Sequence, residues 1–294
     1  MYIAMNKLDE ARRTLEDAIA RGIDSAGFRG ELYALAFYRH DEAEMARQIE
    51  AARRFPDGFR ILTSQMTAAL CSGQLARARE LAAQYASEAA SKTGLKGSTA
   101  TIWSNVAQSA AVFGDAGAAR ATIRTSLDVE RNAATLFNSA FALAIIGDPA
   151  GAQKLVDEAV KLPGASNPDA QRGLVFLNAL IRLRQGDKRA IEAIPAPENE
   201  TDFGPTFTLG IAHLTQGDPQ IAAQQFKKIV DRPEPSISSL KPLASLYYGR
   251  ALAKLGKIEE SRKAYDAFFD AWKNADANLP VLVAAKQEYS RLKS

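Results

Sequence analysis

The strongest constraint on how this chain can fold is a short turn that returns along its 294 residues. Breaker or polar pairs fall at Asn6-Lys7, His40-Asp41, Gly73-Gln74, Gly114-Asp115, Gly147-Asp148, Gly186-Asp187, Gly217-Asp218 and Gly256-Lys257. Their spacings are 34, 33, 41, 33, 39, 31 and 39 residues. A period of this size marks a repeat architecture, in which each unit is one supersecondary element that cannot bury its apolar face alone. Glycine suits such a turn because it accepts positive φ. Aspartate suits the next position because its carboxylate can cap the following helix. At His40 a side chain takes the glycine's place, so a left-handed backbone is expected there.

Counting from each turn gives three further columns. Five residues on, alanine occupies five of eight positions: Ala11, Ala78, Ala119, Ala152 and Ala222, with Met45, Ile191 and Ser261 in the others. Seven residues before the turn, Gly or Ala fills five of seven: Ala107, Ala140, Ala179, Gly210 and Gly249. Proline follows at Pro56, Pro163 and Pro233. Small residues on both helices let an antiparallel pair approach closely, larger neighbours fill the space beside them, and proline ends the second helix. Between turns, segments such as 34–37, 140–144 and 223–230 carry apolar residues at helical spacing, and no period-two strand pattern occurs. The class is all-α. The unit after Gly186-Asp187 has a second helix cut short by Pro195 and Pro197, followed by an acidic loop through Glu198, Glu200 and Asp202.

A two-helix unit of about 34 residues with this pattern resembles the tetratricopeptide repeat (TPR). The unit holding Leu209, Gly210, Gly217-Asp218, Ala222, Phe226 and Pro233 matches it best, followed by Tyr248, Gly249, Gly256 and Tyr265. The resemblance implies a right-handed superhelix of about seven helix pairs over residues 1–294 as a single domain. Residues 1–22 would be the second helix of a truncated repeat, whose Leu8, Leu15 and Ile19 face a missing partner. Residues 280–293, opening at Pro280, would form a capping helix. The closing run from Gly249 to Tyr289 is similar to the end of a group of bacterial, mainly acidobacterial, proteins. In these a TPR array follows a eukaryotic-like serine/threonine kinase domain or a winged-helix regulator domain. The stretches 32–52, 72–82, 141–155 and 222–233 are similar to the same group. The resemblance implies an interaction or regulatory arm of a larger signalling protein, with another domain upstream.

Chemistry is sparse. A kinase needs a Gly-rich phosphate loop and a His-Arg-Asp catalytic loop, and the sequence has neither. Asp202-Phe203-Gly204 spells a metal-site tripeptide without the context that would give it meaning. Two histidines, His40 and His213, and one cysteine, Cys71, leave little for a metal centre or nucleophile. No catalytic residue, cofactor or metal is therefore expected, and Cys71 reads as a buried inert thiol. Carboxylate pairs such as Glu42-Glu44 and Asp157-Glu158 sit near starts of second helices, where they complement the helix dipole in solvent. The chain has 37 basic and 34 acidic residues, with no basic stripe, so direct nucleic-acid binding is not expected. No run approaches a membrane span and no signal peptide is evident, which points to the cytoplasm unless an upstream domain brings a transmembrane helix.

What remains is the inner face. In a TPR superhelix the first helix of each unit lines the concave side. Extrapolated from the turns, that side would carry Thr67, Gln108, Phe137, Phe141, Phe176, Phe207, Ile211 and Arg250, with Thr63, Ser104, Leu180 and Leu246 alongside. The Lys, Asn and Arg clamp of chaperone-binding TPR domains is absent from the middle units. Instead, the phenylalanines offer either an apolar groove for a protein or peptide segment or ordinary core packing.

Overall fold

The recurring turns set the backbone in the computed structural model, which describes residues 7–198, 202–232 and 238–292. Gly73, Gly114, Gly147, Gly186, Gly217 and Gly256 all have positive φ, and His40 takes the same region at +54°. Just after them, the carboxylates of Asp41, Asp115, Asp148 and Asp187 accept backbone N–H groups at the start of the next helical segment. These caps satisfy donors that a helix start otherwise leaves unpaired. Asn6 and residues 2–5 lie outside the described residues, as do Glu200 and Pro233.

The helices are α1 (Leu8–Ala20), α2 (Ala26–Tyr38), α3 (Glu42–Ala52), α4 (Ile61–Cys71), α5 (Leu75–Ala89), α6 (Lys96–Val112), α7 (Ala116–Val129) and α8 (Ala133–Ile145). They continue as α9 (Pro149–Ala159), α10 (Pro168–Arg184), α11 (Phe203–Gln216), α12 (Pro219–Val230), α13 (Leu240–Lys254), α14 (Ile258–Ala271) and α15 (Pro280–Arg291). Consecutive helices pack in pairs from α2/α3 to α13/α14. The partner of α10 is only a 3-10 segment, Lys188–Ala193, where Pro195 and Pro197 prevent a longer helix. The described residues contain no strand, and the architecture is an α-α solenoid.

Close approach within a pair uses the small-residue columns. A Cβ on Gly210 would lie 2.6 Å from the Phe226 ring, and one on Gly249 would lie 2.8 Å from the Tyr265 ring. The large residue thus seats directly over the glycine rather than beside it. Ser261 replaces alanine in its column, and its buried hydroxyl donates to the Gly249 carbonyl at 2.8 Å. At the other end, Leu8, Leu15 and Ile19 pack against Leu32 and Leu35 of α2 and stay half-buried. Glu44 also departs from expectation. It is buried rather than solvated, and accepts hydrogen bonds from Arg47 Nε at 2.8 Å and Gln48 Nε2 at 2.6 Å.

The repeat pattern alone describes an elongated stack; the structure instead brings its late and early units together. The Trp272 indole N–H donates to the Cys71 carbonyl at 3.1 Å, and its ring meets Phe113 edge-on at 4.9 Å. The Asp276 N–H donates to the Gly73 carbonyl, and the Val281 N–H donates to the Phe113 carbonyl, both at 3.1 Å. Helix α5 starts at a turn with Gln74 where most units have aspartate, and it has no local side-chain cap. Its missing cap comes from 200 residues away: the Ala76 N–H donates to Asp276 Oδ2 at 2.8 Å. The segment from Trp272 to Val281 therefore acts as a clasp, and one apolar cluster runs from Leu62 to Ala285 through the seam. Helix α15 covers the last pair and also docks on the turn at Gly114, so it does more than cap an end.

Candidate functional site

With the clasp in place, the first helices of the units surround two neighbouring concave cavities that share Val112, Phe141, Gly204 and Leu240. Cavity A, about 990 Å³, lies mainly among α4, α6, α8 and α10. Cavity B, about 500 Å³, lies among the later turns of α6, α8 and α10 with α11 and α13.

The eight expected inner-face residues divide between them. Thr67, Gln108, Phe137, Phe141 and Phe176 line cavity A, while Phe141, Phe207, Ile211 and Arg250 line cavity B, beside Leu180. Phe137, Phe141 and Phe176 are half-buried, each serving packing and presenting surface; the rings of Phe141 and Phe176 lie 5.9 Å apart. Phe207 is more deeply set, edge-on to both Phe226 and Tyr247. Ser104 and Leu246 do not reach either cavity. Both are fully buried, and the Ser104 hydroxyl donates to the Thr101 carbonyl at 2.8 Å. Thr63 faces a smaller hollow beside α2.

Cavity A is rich in amides. Asn138 Nδ2 donates to Ser104 Oγ at 3.0 Å and to Asn105 Oδ1 at 3.2 Å. Asn132 and Asn167 cap α8 and α10 from its rim. Gln108 has no hydrogen-bond partner among the described residues and stands on the wall with both amide functions free. The Thr67 hydroxyl is spent on the Thr63 carbonyl of its own helix at 2.8 Å. Cys71 lies at the floor, where burial pushes its thiol pKa up to about 12; that is the environment of an inert cysteine, not a nucleophile.

Cavity B is apolar and cationic. Arg184, Lys188 and Arg250 line it, and no Asp or Glu does. Arg250 is committed: its guanidinium makes a two-pronged pair with Glu288 at 2.8 and 3.0 Å and lies 4.5 Å over the Tyr247 ring. Burial works to lower the Arg250 pKa, but Glu288 together with Tyr247 and Tyr265 outweighs it and the net direction is upward. Tyr265 also donates to Glu288, at 2.7 Å, and burial followed by that carboxylate pushes its phenol pKa upward. Arg184 was not among the expected inner residues, yet the helical step that joins Phe176 to Leu180 leads directly to it. That continuation was the available signal.

Other candidates for chemistry resolve into structure. The Asp202 carboxylate accepts the Glu198 backbone N–H at 3.1 Å, and Phe203 is buried as the first residue of α11. His213 places Nδ1 3.7 Å from Asp218. Among the described residues, no three His, Cys, Asp or Glu side chains converge as a metal site would require, and no helix is long and apolar enough to cross a membrane.

Residues 207–276 match the tetratricopeptide repeat family. No curated protein matches the sequence. Among solved structures, the chain is similar to a tetratricopeptide repeat protein from Parabacteroides merdae, at 14% identity and a TM-score of 0.49, with 98% of this chain and 99% of that one covered. It is also similar to a structure of Naa15/Naa10 bound to HypK-THB, at 18% identity and a TM-score of 0.31, covering 80% of this chain and 35% of that one.

Proposed function

We propose that this chain is a non-catalytic scaffold that binds a protein or peptide segment in cavity A, as the interaction arm of a larger signalling protein. The observation that carries the reading is the wall of cavity A. Half-buried phenylalanines stand beside amides from three helices, and Gln108 is unpaired among the described residues. An extended peptide presents an N–H and a C=O at nearly every residue, and Asn and Gln side chains can both donate and accept. The aromatic faces supply apolar contact for alternate side chains. The repeat match at residues 207–276 supports an interaction role, and the sequence resemblance supports attachment to a serine/threonine kinase domain.

Selection of a displayed peptide library on the full chain tests the binding claim. Recovered peptides should lose most of their affinity for Gln108→Ala and Phe137→Ala variants, both confined to cavity A, and keep it for Arg124→Ala, an exposed position on α7. Peptides indifferent to both cavity variants would overturn it. The attachment claim is tested separately by the reading frame before Met1. An in-frame kinase domain is expected, and a stop codon directly upstream defeats it.

A second reading, the effector-sensing arm of a TPR-containing transcriptional regulator, is favoured by one observation. The clasp helps enclose cavity B, since Gly114 and Val281, which touch at the seam, also line it. A winged-helix domain would then precede this chain.

A further inference from the structure

Cavity B offers a ligand something quite different from cavity A. Its wall is built from Phe141, Leu180, Leu183, Phe207 and Ile211, with polar groups confined to a few positions. Several of these are already used: the Thr215 hydroxyl donates to the Ile211 carbonyl at 2.8 Å, and Gln216 Nε2 donates to the Lys188 carbonyl at 3.3 Å. A polypeptide threaded here would leave most of its backbone groups unpaired, which is costly away from water. A molecule with an alkyl or aromatic body and polar atoms at one end loses nothing comparable.

The polar end is specified by charge. No carboxylate lines the cavity. Arg184 ends α10, and Lys188 follows the turn at Gly186. Neither side chain has a hydrogen bond or ion pair among the described residues. Both residues remain exposed at the edge of the cavity, although neighbouring protein desolvates Arg184 enough to lower its pKa. An exposed cation without a counter-ion gains modestly when an anion arrives, and the planar guanidinium matches a carboxylate with two parallel hydrogen bonds. The volume of about 500 Å³ lies in the ordinary range of small-molecule sites.

We infer that cavity B binds a small amphipathic carboxylate, its apolar body against Phe141, Leu180, Phe207 and Ile211 and its anionic head at the Arg184–Lys188 end. The inference rests on cavity B alone. Failure of peptide binding in cavity A would leave it standing, and the two tests share no variant.

The experiment is titration calorimetry on the full chain with decanoate, decanol and decylammonium, three probes with one body and three head groups. Decanoate should bind one per chain, about tenfold or more tighter than decanol, with decylammonium weakest. Arg184→Met should remove that tenfold preference and leave decanol unchanged, with an unaltered circular dichroism spectrum. Should that variant misfold, Lys188→Met is read in its place and should weaken decanoate several-fold. Ile211→Trp should fill the cavity and abolish binding of all three. Equal affinities for the three probes overturn the inference, as does decanoate binding that survives Ile211→Trp. An acidic decapeptide that displaces decanoate at lower concentration than decanoate itself requires would instead make the site a peptide site and defeat the small-molecule assignment.

Discussion

The clasp can be tested with two glycines that share a conformation but not a neighbourhood. Gly73 has φ of +72° and Gly147 of +85°, so replacing either by alanine costs roughly 1–2 kcal/mol for a left-handed backbone. A Cβ on Gly147 would meet nothing within 4 Å. A Cβ on Gly73 would lie 2.7 Å from both Trp272 Cδ2 and the Ala275 methyl. Those atoms belong to a rigid, buried indole and the loop that holds it. Forcing extra volume against such a site costs about 1–3 kcal/mol. The alternative is release of Trp272, which would forfeit roughly 3–5 kcal/mol of aromatic burial. Gly73→Ala should therefore exceed Gly147→Ala by about 1–3 kcal/mol in urea unfolding.

Fluorescence separates the clasp from general destabilisation. The chain has two tryptophans, so a Trp103→Phe background leaves Trp272 as the sole reporter of the seam. Without denaturant its emission should be that of a buried indole in the parent and in both variants, and it should move to longer wavelength at a lower urea concentration in Gly73→Ala than in Gly147→Ala. Equal stability losses for the two glycine variants, with Trp272 emission shifting at the same urea concentration in both, would refute the clasp.

Two further outcomes follow from the ionisable groups. Asp148 is held below the ordinary carboxylate range by Arg120 and the Gly151 N–H, and Glu158 by Arg131, tying α7 and the turn that follows it to the α9 end of the next pair. Carboxylates with depressed folded pKa values stabilise above their unfolded pKa and lose that contribution as pH falls through the folded value. Urea midpoints should thus be flat above about pH 5 and fall below about pH 4, with a shallower fall in an Asp148→Asn, Glu158→Gln double variant. Identical descents would count against these pairs, whose partial exposure keeps their effect small and salt-sensitive. For Cys71, with its pKa pushed up to about 12 by burial, iodoacetamide should label the native chain only as fast as it opens, and faster in Gly73→Ala; prompt labelling of the folded parent would contradict its burial.

The helical plan was legible in the sequence because its signals are local. Positive φ at a turn, a carboxylate one residue later and a small residue on each flank all act within one pair, so Gly147-Asp148, Ala140 and Ala152 announce their unit without help from the rest of the chain. The inner-face register held where the helices are regular. Phe137, Phe141, Phe176 and Gln108 all line cavity A. It failed at Ser104 and Leu246, which a full turn of packing against neighbouring helices buries. Arg184 was passed over because the extrapolation stopped one turn short of the end of α10.

What the sequence could not express is closure. Gln74 in place of aspartate leaves α5 uncapped, but nothing local says that Asp276 will supply the cap, or that Trp272 will seat over Gly73. Those contacts arise only when the small rotation between successive pairs has accumulated over the whole stack, and no single repeat encodes that sum. The sequence by itself determined a stack of helix pairs and most, but not all, of the residues on its inner side. Only the tertiary structure decided that the stack closes on itself and that its inner face is divided into an amide-rich and a cationic cavity. Pairing is a nearest-neighbour property, whereas closure depends on residues some 200 positions apart.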